Sequence, residues 1–130
     1  MTLKFQENID KIEGCPAKSE NGDKTLYRFI LSVPLDSDSF KPHSLIHKPK
    51  FDNICIAWGL STYDSLKSAQ EALQNLPKKT REKFTAIAVS EITDDDGIKY
   101  PTKNKRHYTF FPKKEVNLLT KFALVNQDEE

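Results

Sequence analysis

In "TLYRFILSVP" polar and apolar positions alternate with the period of a strand, Leu26, Arg28, Ile30 and Ser32 on one side and Tyr27, Phe29, Leu31 and Val33 on the other. The second set reads as core-facing, and Pro34 ends the strand. "ICIAWGL" is a short continuous apolar run, the pattern of a central strand buried on both faces, with Gly59 marking its end or a close backbone approach. The spacing then changes. Leu66, Ala69, Leu73 and Leu76 recur at helical intervals, Asp64 or Ser65 is placed to cap, and Pro77 stops the run, which predicts the main helix at about 64–76. "KKTREKF" adds one turn, and "FTAIAVSEIT" returns to alternation, with Ala86, Ala88 and Ser90 opposite Ile87, Val89 and Glu91.

The acidic "TDDDG" is a turn, a basic loop follows, and "HYTFFP" is a strand. A short helix is expected at about 113–121, with Val116, Leu119 and Phe122 inward, before "FALV" rejoins the sheet. "NIDKIEG" suggests a short first strand. Residues 15–24 and 35–53 read as long loops, and 126–130 as a frayed acidic tail. Together these elements predict one α+β domain over 1–130, a mixed or antiparallel sheet of about five strands covered on one face.

Composition narrows the function classes. A chain of 130 residues with thirteen aromatics can bury a core of its own. A formal net charge of +1 supplies no global field for nucleic acid or an anionic membrane, so electrostatic function has to come from local clustering. The first residues lack an apolar leader, and no stretch approaches the roughly 20 apolar residues that cross a bilayer. Cys15 and Cys55 do not make a disulfide framework, and Cys55 between two isoleucines reads as a small buried hydrophobe. A cytoplasmic protein is the expectation.

The densest local cluster is "GIKYPTKNKRHYTFFPKK", residues 97–114, with six Lys or Arg, four aromatic rings and no acid. Cations that track phosphates and rings that stack on bases use this mixture, which nominates Lys103, Lys105, Arg106, His107, Tyr108 and Tyr100 as a binding surface. Strand alternation puts His107, Thr109 and Phe111 on one face and Tyr108 and Phe110 on the other, so part of the aromatic set belongs to the core. His43 and His47 have ligand spacing for a helix, but Pro49 leaves barely one turn and no third ligand is at hand, so no metal site is assigned. Asp94, Asp95 and Asp96 lack the remaining positions of a calcium loop. Burial disables Cys55 as a nucleophile toward His107.

Arg28 in "LYRF", with Ser61, Thr62 and Tyr63 in "GLSTYD", resembles the layout of ADP-ribosyltransferase-like folds. The resemblance implies NAD as cofactor, Arg28 on its phosphates, the hydroxyls beneath it and a glutamate, Glu91 or Glu71, at the ribose. "WGLSTYDSLKSAQEAL" followed by "HYTFFP" is similar to small bacterial proteins of unknown function with a Gly-Leu-Ser turn and a His-Tyr-Thr strand. That likeness implies a bacterial or phage origin and no chemistry. If Ser61, His107 and Tyr108 meet at adjoining strand ends, they line a common pocket. The leading expectation is a cofactor-free binding domain that contacts nucleic acid or another anionic partner through 97–114. The alternatives are an NAD-using enzyme built on Arg28, Ser61 and Tyr63, or a protein-binding inhibitor or immunity-type partner.

Overall fold

A computed structural model describes residues 1–104 and 106–125. The α+β expectation holds: six antiparallel strands form one sheet in the order β4-β5-β2-β1-β3-β6. The strands are β1 Lys24–Ile30, β2 Leu60–Tyr63, β3 Ala86–Ile92, β4 Gly97–Pro101, β5 His107–Pro112 and β6 Ala123–Leu124. The helices are α1 Gln6–Asp10, α2 His43–Ile46, α3 Leu66–Gln74, α4 Lys78–Arg81 and α5 Leu118–Lys121. The last five residues, read as a tail, lie outside the described residues.

Local chemistry explains the main helix. Ser65 caps α3, its Oγ accepting from the Ser68 amide at 3.1 Å, and Pro77 follows its end. The apolar run behaves differently from its expectation. Cys55–Trp58 is a 3-10 turn, not a strand, and only from Leu60 does the chain enter the sheet. Ile54 and Ile56 are 46% and 45% exposed while Trp58 is buried with Leu3, Ile9 and Phe111, so only part of the run faces the core. Gly59 joins turn to strand under Thr109 and the Phe110 carbonyl, where a Cβ has no room.

Both faces of the sheet are covered, where one was expected. Leu26, Ile30, Leu60, Ala88, Ile92 and Phe110 pack beneath Phe40, Leu118 and Phe122 on the first face. Phe111 turns to the second face, where Leu3, Ile9 and Trp58 cover it. The neighbouring rings of "FF" therefore serve opposite cores. On β1 the inward set is Leu26 and Ile30, both fully buried, and not the aromatic set, whose Tyr27 and Phe29 keep partial exposure. Three further elements differ from expectation. "NID" closes the short helix α1, the supposed basic loop opens with β4, and α5 covers four residues with Leu118 inward and Leu119 exposed. The 35–53 stretch is built from a 3-10 turn, Ser37–Phe40, and α2.

Cys15 and Cys55 form a disulfide, which corrects their reading as separate thiols. The bond ties the segment after α1 to the turn that carries Trp58, beside the second core. No helix among the described residues is long and apolar enough to cross a membrane.

Candidate functional site

The ladder between β1 and β2 is a single pair, Tyr27 opposite Tyr63. Beyond it the strands part, and Arg28 occupies the gap. Its Nη1 donates to the Ser61 carbonyl at 2.9 Å and its Nε to the Ser39 carbonyl at 3.0 Å. Ser39 is itself held by accepting the Leu31 amide on its Oγ at 2.9 Å. Burial pulls the Arg28 guanidinium down to about 10, still charged at neutral pH. No carboxylate among the described residues pairs with it, and its remaining N–H groups find no protein acceptor there. A guanidinium carries five such donors, so part of its capacity is open to the cleft that it lines.

Across β2, Ser61 Oγ and His107 Nε2 are 2.5 Å apart. His107 Nδ1 lies 2.8 Å from Thr102 Oγ1, and that same hydroxyl donates to the His107 carbonyl at 3.3 Å. When Thr102 gives its one proton to the His107 carbonyl, its oxygen accepts from Nδ1–H, and Nε2 is then the nitrogen that accepts from Ser61 Oγ–H. Burial holds His107 below its ordinary value, so the imidazole is neutral at pH 7. The Tyr63 ring meets the His107 ring edge-on at 5.0 Å. Burial raises the Tyr63 phenol, and its hydrogen bond with Ser61 pulls the other way.

Two cavities, of 360 and 340 Å³, meet at Ser61, Gly59 and His43. The first is walled by Phe51, Ile54, Ile56 and Ala57 and contains His107. The second holds Arg28, Lys41, Lys83 and His47, with Asp38 as its one carboxylate, already paired with Lys41 at 2.8 Å. The first lobe is apolar, and the second sets its charged groups among Phe29, Leu31, Ile46, Leu76 and Phe84. The His43 imidazole at their junction is held low by burial first, then by the charges of His47 and Arg28.

Of the residues expected to share a pocket, Ser61 and His107 meet, whereas Tyr108 points to the other face of β5. There Tyr108 packs against the main core, donates to the Glu20 carboxylate and carries Lys24 over its ring. Burial and then Glu20 push its phenol up to about 12. Tyr100 packs in the second core, Arg106 lies 3.6 Å from Asp64, and Lys103 is exposed. Lys105 lies outside the described residues. Lys99, also of the basic segment, is fully buried against Asp94 at 2.6 Å. Ser61 stands inside β2. Glu71 and Glu91 are exposed, and neither lines either cavity.

His43 and His47 stack at 5.9 Å, and among the described residues no group of three His, Cys, Asp or Glu is placed to hold a metal ion. Thr102 and Ser39 were not singled out from the sequence. Their roles depend on partners brought together by the fold, and no spacing announces them. Comparison with protein-family models, curated proteins and solved structures finds no match to this chain.

Proposed function

We propose that this domain is a binding protein for a small anionic ligand, held in the second lobe of the cleft with Arg28 as its principal contact. The observation that carries this is the Arg28 guanidinium itself, half-buried, held by two backbone carbonyls and paired with no carboxylate among the described residues. A cation withdrawn from water is costly unless an anion balances it, and a planar fork with unused donors suits a phosphate or carboxylate. Lys83 on the same cleft adds to that potential, while Lys41 is balanced by Asp38. The basic segment 97–114 contributes less to this reading, since Lys99 and Arg106 have acidic partners and Tyr108 is engaged by Glu20. An NAD-using role draws on Arg28, Ser61 and Tyr63, yet it lacks a glutamate in the cleft. Cytoplasmic residence would require this fold to persist where disulfides are rare.

The test is thermal unfolding with phosphate, pyrophosphate, AMP and NAD, against adenosine and glucose as neutral counterparts. A ligand at about 100 times its Kd adds about 2.7 kcal/mol of stability. The anions are expected to raise the midpoint, the neutral compounds to leave it unchanged, and Arg28→Met to abolish the shift while Arg28→Lys weakens it. Equal shifts from neutral compounds, or full anion shifts in Arg28→Met, overturn the proposal. So does tight oligonucleotide binding that falls steeply between about 50 and 200 mM salt and disappears in Lys103→Ala/Arg106→Ala, with no small-anion shift.

A further inference from the structure

We propose that Ser61 and His107 form a nucleophile and general base, and that the cleft cleaves carboxylic esters with an apolar acyl group and an anionic alcohol portion. The proposal rests on the anion site for the alcohol portion only; the nucleophile stands on separate geometry. Ser61 Oγ lies 2.5 Å from His107 Nε2, and Thr102 Oγ1 lies 2.8 Å from Nδ1, where accepting from Nδ1–H would make Nε2 the base. The two lobes meet at Ser61. An acyl chain fits the wall of Phe51, Ile54, Ile56 and Ala57, and a carboxylate or phosphate on the alcohol side reaches Arg28 and Lys83, which places the ester bond between them, over Oγ.

In the first step the Ser61 Oγ–carbon bond forms as its proton passes to His107 Nε2. The bond from the acyl carbon to the alcohol oxygen then breaks, and Nε2 returns the proton to the leaving alkoxide. Water, deprotonated by the same nitrogen, attacks the acyl carbon, releases the carboxylic acid and restores Ser61. His107 Nδ1 faces a hydroxyl and not a carboxylate, so the imidazolium that forms is stabilised less than in a pair oriented by an aspartate. Turnover is accordingly expected to be slow, and covalent capture is the sharper readout.

The experiment is incubation of the folded protein with diisopropyl fluorophosphate, followed by intact mass and peptide mapping. The expected result is one phosphoryl adduct on Ser61, formed as fluoride leaves. It is absent in Ser61→Ala and slowed by about 100-fold or more in His107→Gln. Thermal unfolding with phosphate alone reads the anion site separately: a midpoint shift without an adduct sinks the nucleophile only, and an adduct without a shift sinks the anion site only, so the two failures are distinguishable. p-Nitrophenyl butyrate should be cleaved with a burst and p-nitrophenyl acetate more slowly, since the shorter acyl group leaves the apolar lobe unfilled. Mapping of the unsubstituted protein needs no variant to fold. No adduct on Ser61, an adduct spread over other residues, or equal labelling in a folded His107→Gln variant overturns the proposal.

Discussion

Ser61 Oγ and His107 Nε2 lie 2.5 Å apart across β2 and β5, although neither is the other's register partner, for Ser61 faces Thr109 and His107 faces Tyr63. The contact is diagonal on one face of the sheet, and both residues sit on paired backbone at the wall of a cavity. Side chains on paired strands are positioned more firmly than side chains on loops, which favours a fixed hydroxyl–imidazole geometry.

Thr102 is a positioning residue for that geometry, because its Oγ1 lies within hydrogen-bond reach of both His107 Nδ1 and the His107 carbonyl. Thr102→Val removes the acceptor for Nδ1–H and is expected to give His107 a mixture of tautomers, read from its ring nitrogen chemical shifts. Thr102→Ser should restore one tautomer. Unchanged shifts in the valine variant would show that something other than Thr102 orients the ring.

The sign of the pH dependence follows from burial. His107 titrates below its ordinary 6.5, so the unfolded chain takes up its proton first as pH falls. Its contribution to stability is full above about 6.5 and is lost as pH drops through the lowered folded value. Labelling of Ser61 should follow the same curve, falling as Nε2 is protonated. His43 faces the same cavity and is also held low, and Tyr63 stays neutral throughout this range, so ring-specific shifts are needed to assign the midpoint. A His107 midpoint above 6.5 by such a titration contradicts the burial argument.

What the sequence disclosed and what it hid follow from where each residue finds its partner. α3 was legible because its cap, its apolar stripe and its stop are all local. β3 was legible because alternation is unopposed along it, and β5 because an aromatic-rich run ends at a proline. The inward face of β1 was inverted, since Arg28 reads as solvated until Ser39 and Ser61 supply carbonyls from distant segments. "ICIAWGL" has no period to distinguish strand from turn, and β4 was obscured by Lys99, whose burial depends on Asp94. Arg28, Ser61, Tyr63 and His107 were each visible as candidates. Their joining needs the β2–β5 register, which one sequence does not reveal.

Lys99 and Asp94 offer an asymmetric test of buried charge. Lys99 is fully buried and donates to Asp94 at 2.6 Å, while Asp94 is 54% exposed and also accepts the Gly22 amide. Asp94→Asn leaves an uncompensated cation inside and should lower the unfolding midpoint clearly, whereas Lys99→Met removes the cation altogether and should be close to neutral. The Lys99 hydrogen bond, followed by that of Gly22, holds the Asp94 carboxyl below its ordinary 3.8. That contribution is present above about 3.8 and is lost as pH falls through the folded value. Equal midpoints for the two variants at pH 7 would mean that the ammonium is not isolated from water.

The Cys15–Cys55 bond closes a loop across a separation of 40 residues, and in the chain-entropy view this removes about 4 kcal/mol of freedom from the unfolded state. It anchors the turn ahead of Gly59, after which β2 brings Ser61 to the cleft. Reduction with dithiothreitol, or Cys15→Ser/Cys55→Ser, should therefore lower stability by about that amount in denaturant unfolding and raise m little. The cleft is expected to respond less, because Ser61 and His107 are held by the β2–β5 pairing, which the bond does not touch. Mass spectrometry after alkylation, without reductant, decides whether the purified protein carries the bond: two blocked cysteines confirm it, two alkylated ones refute it. If reduction costs stability and also abolishes Ser61 labelling in protein that remains folded, the bond is part of what shapes the cleft, and the independence argued from the strand pairing is wrong.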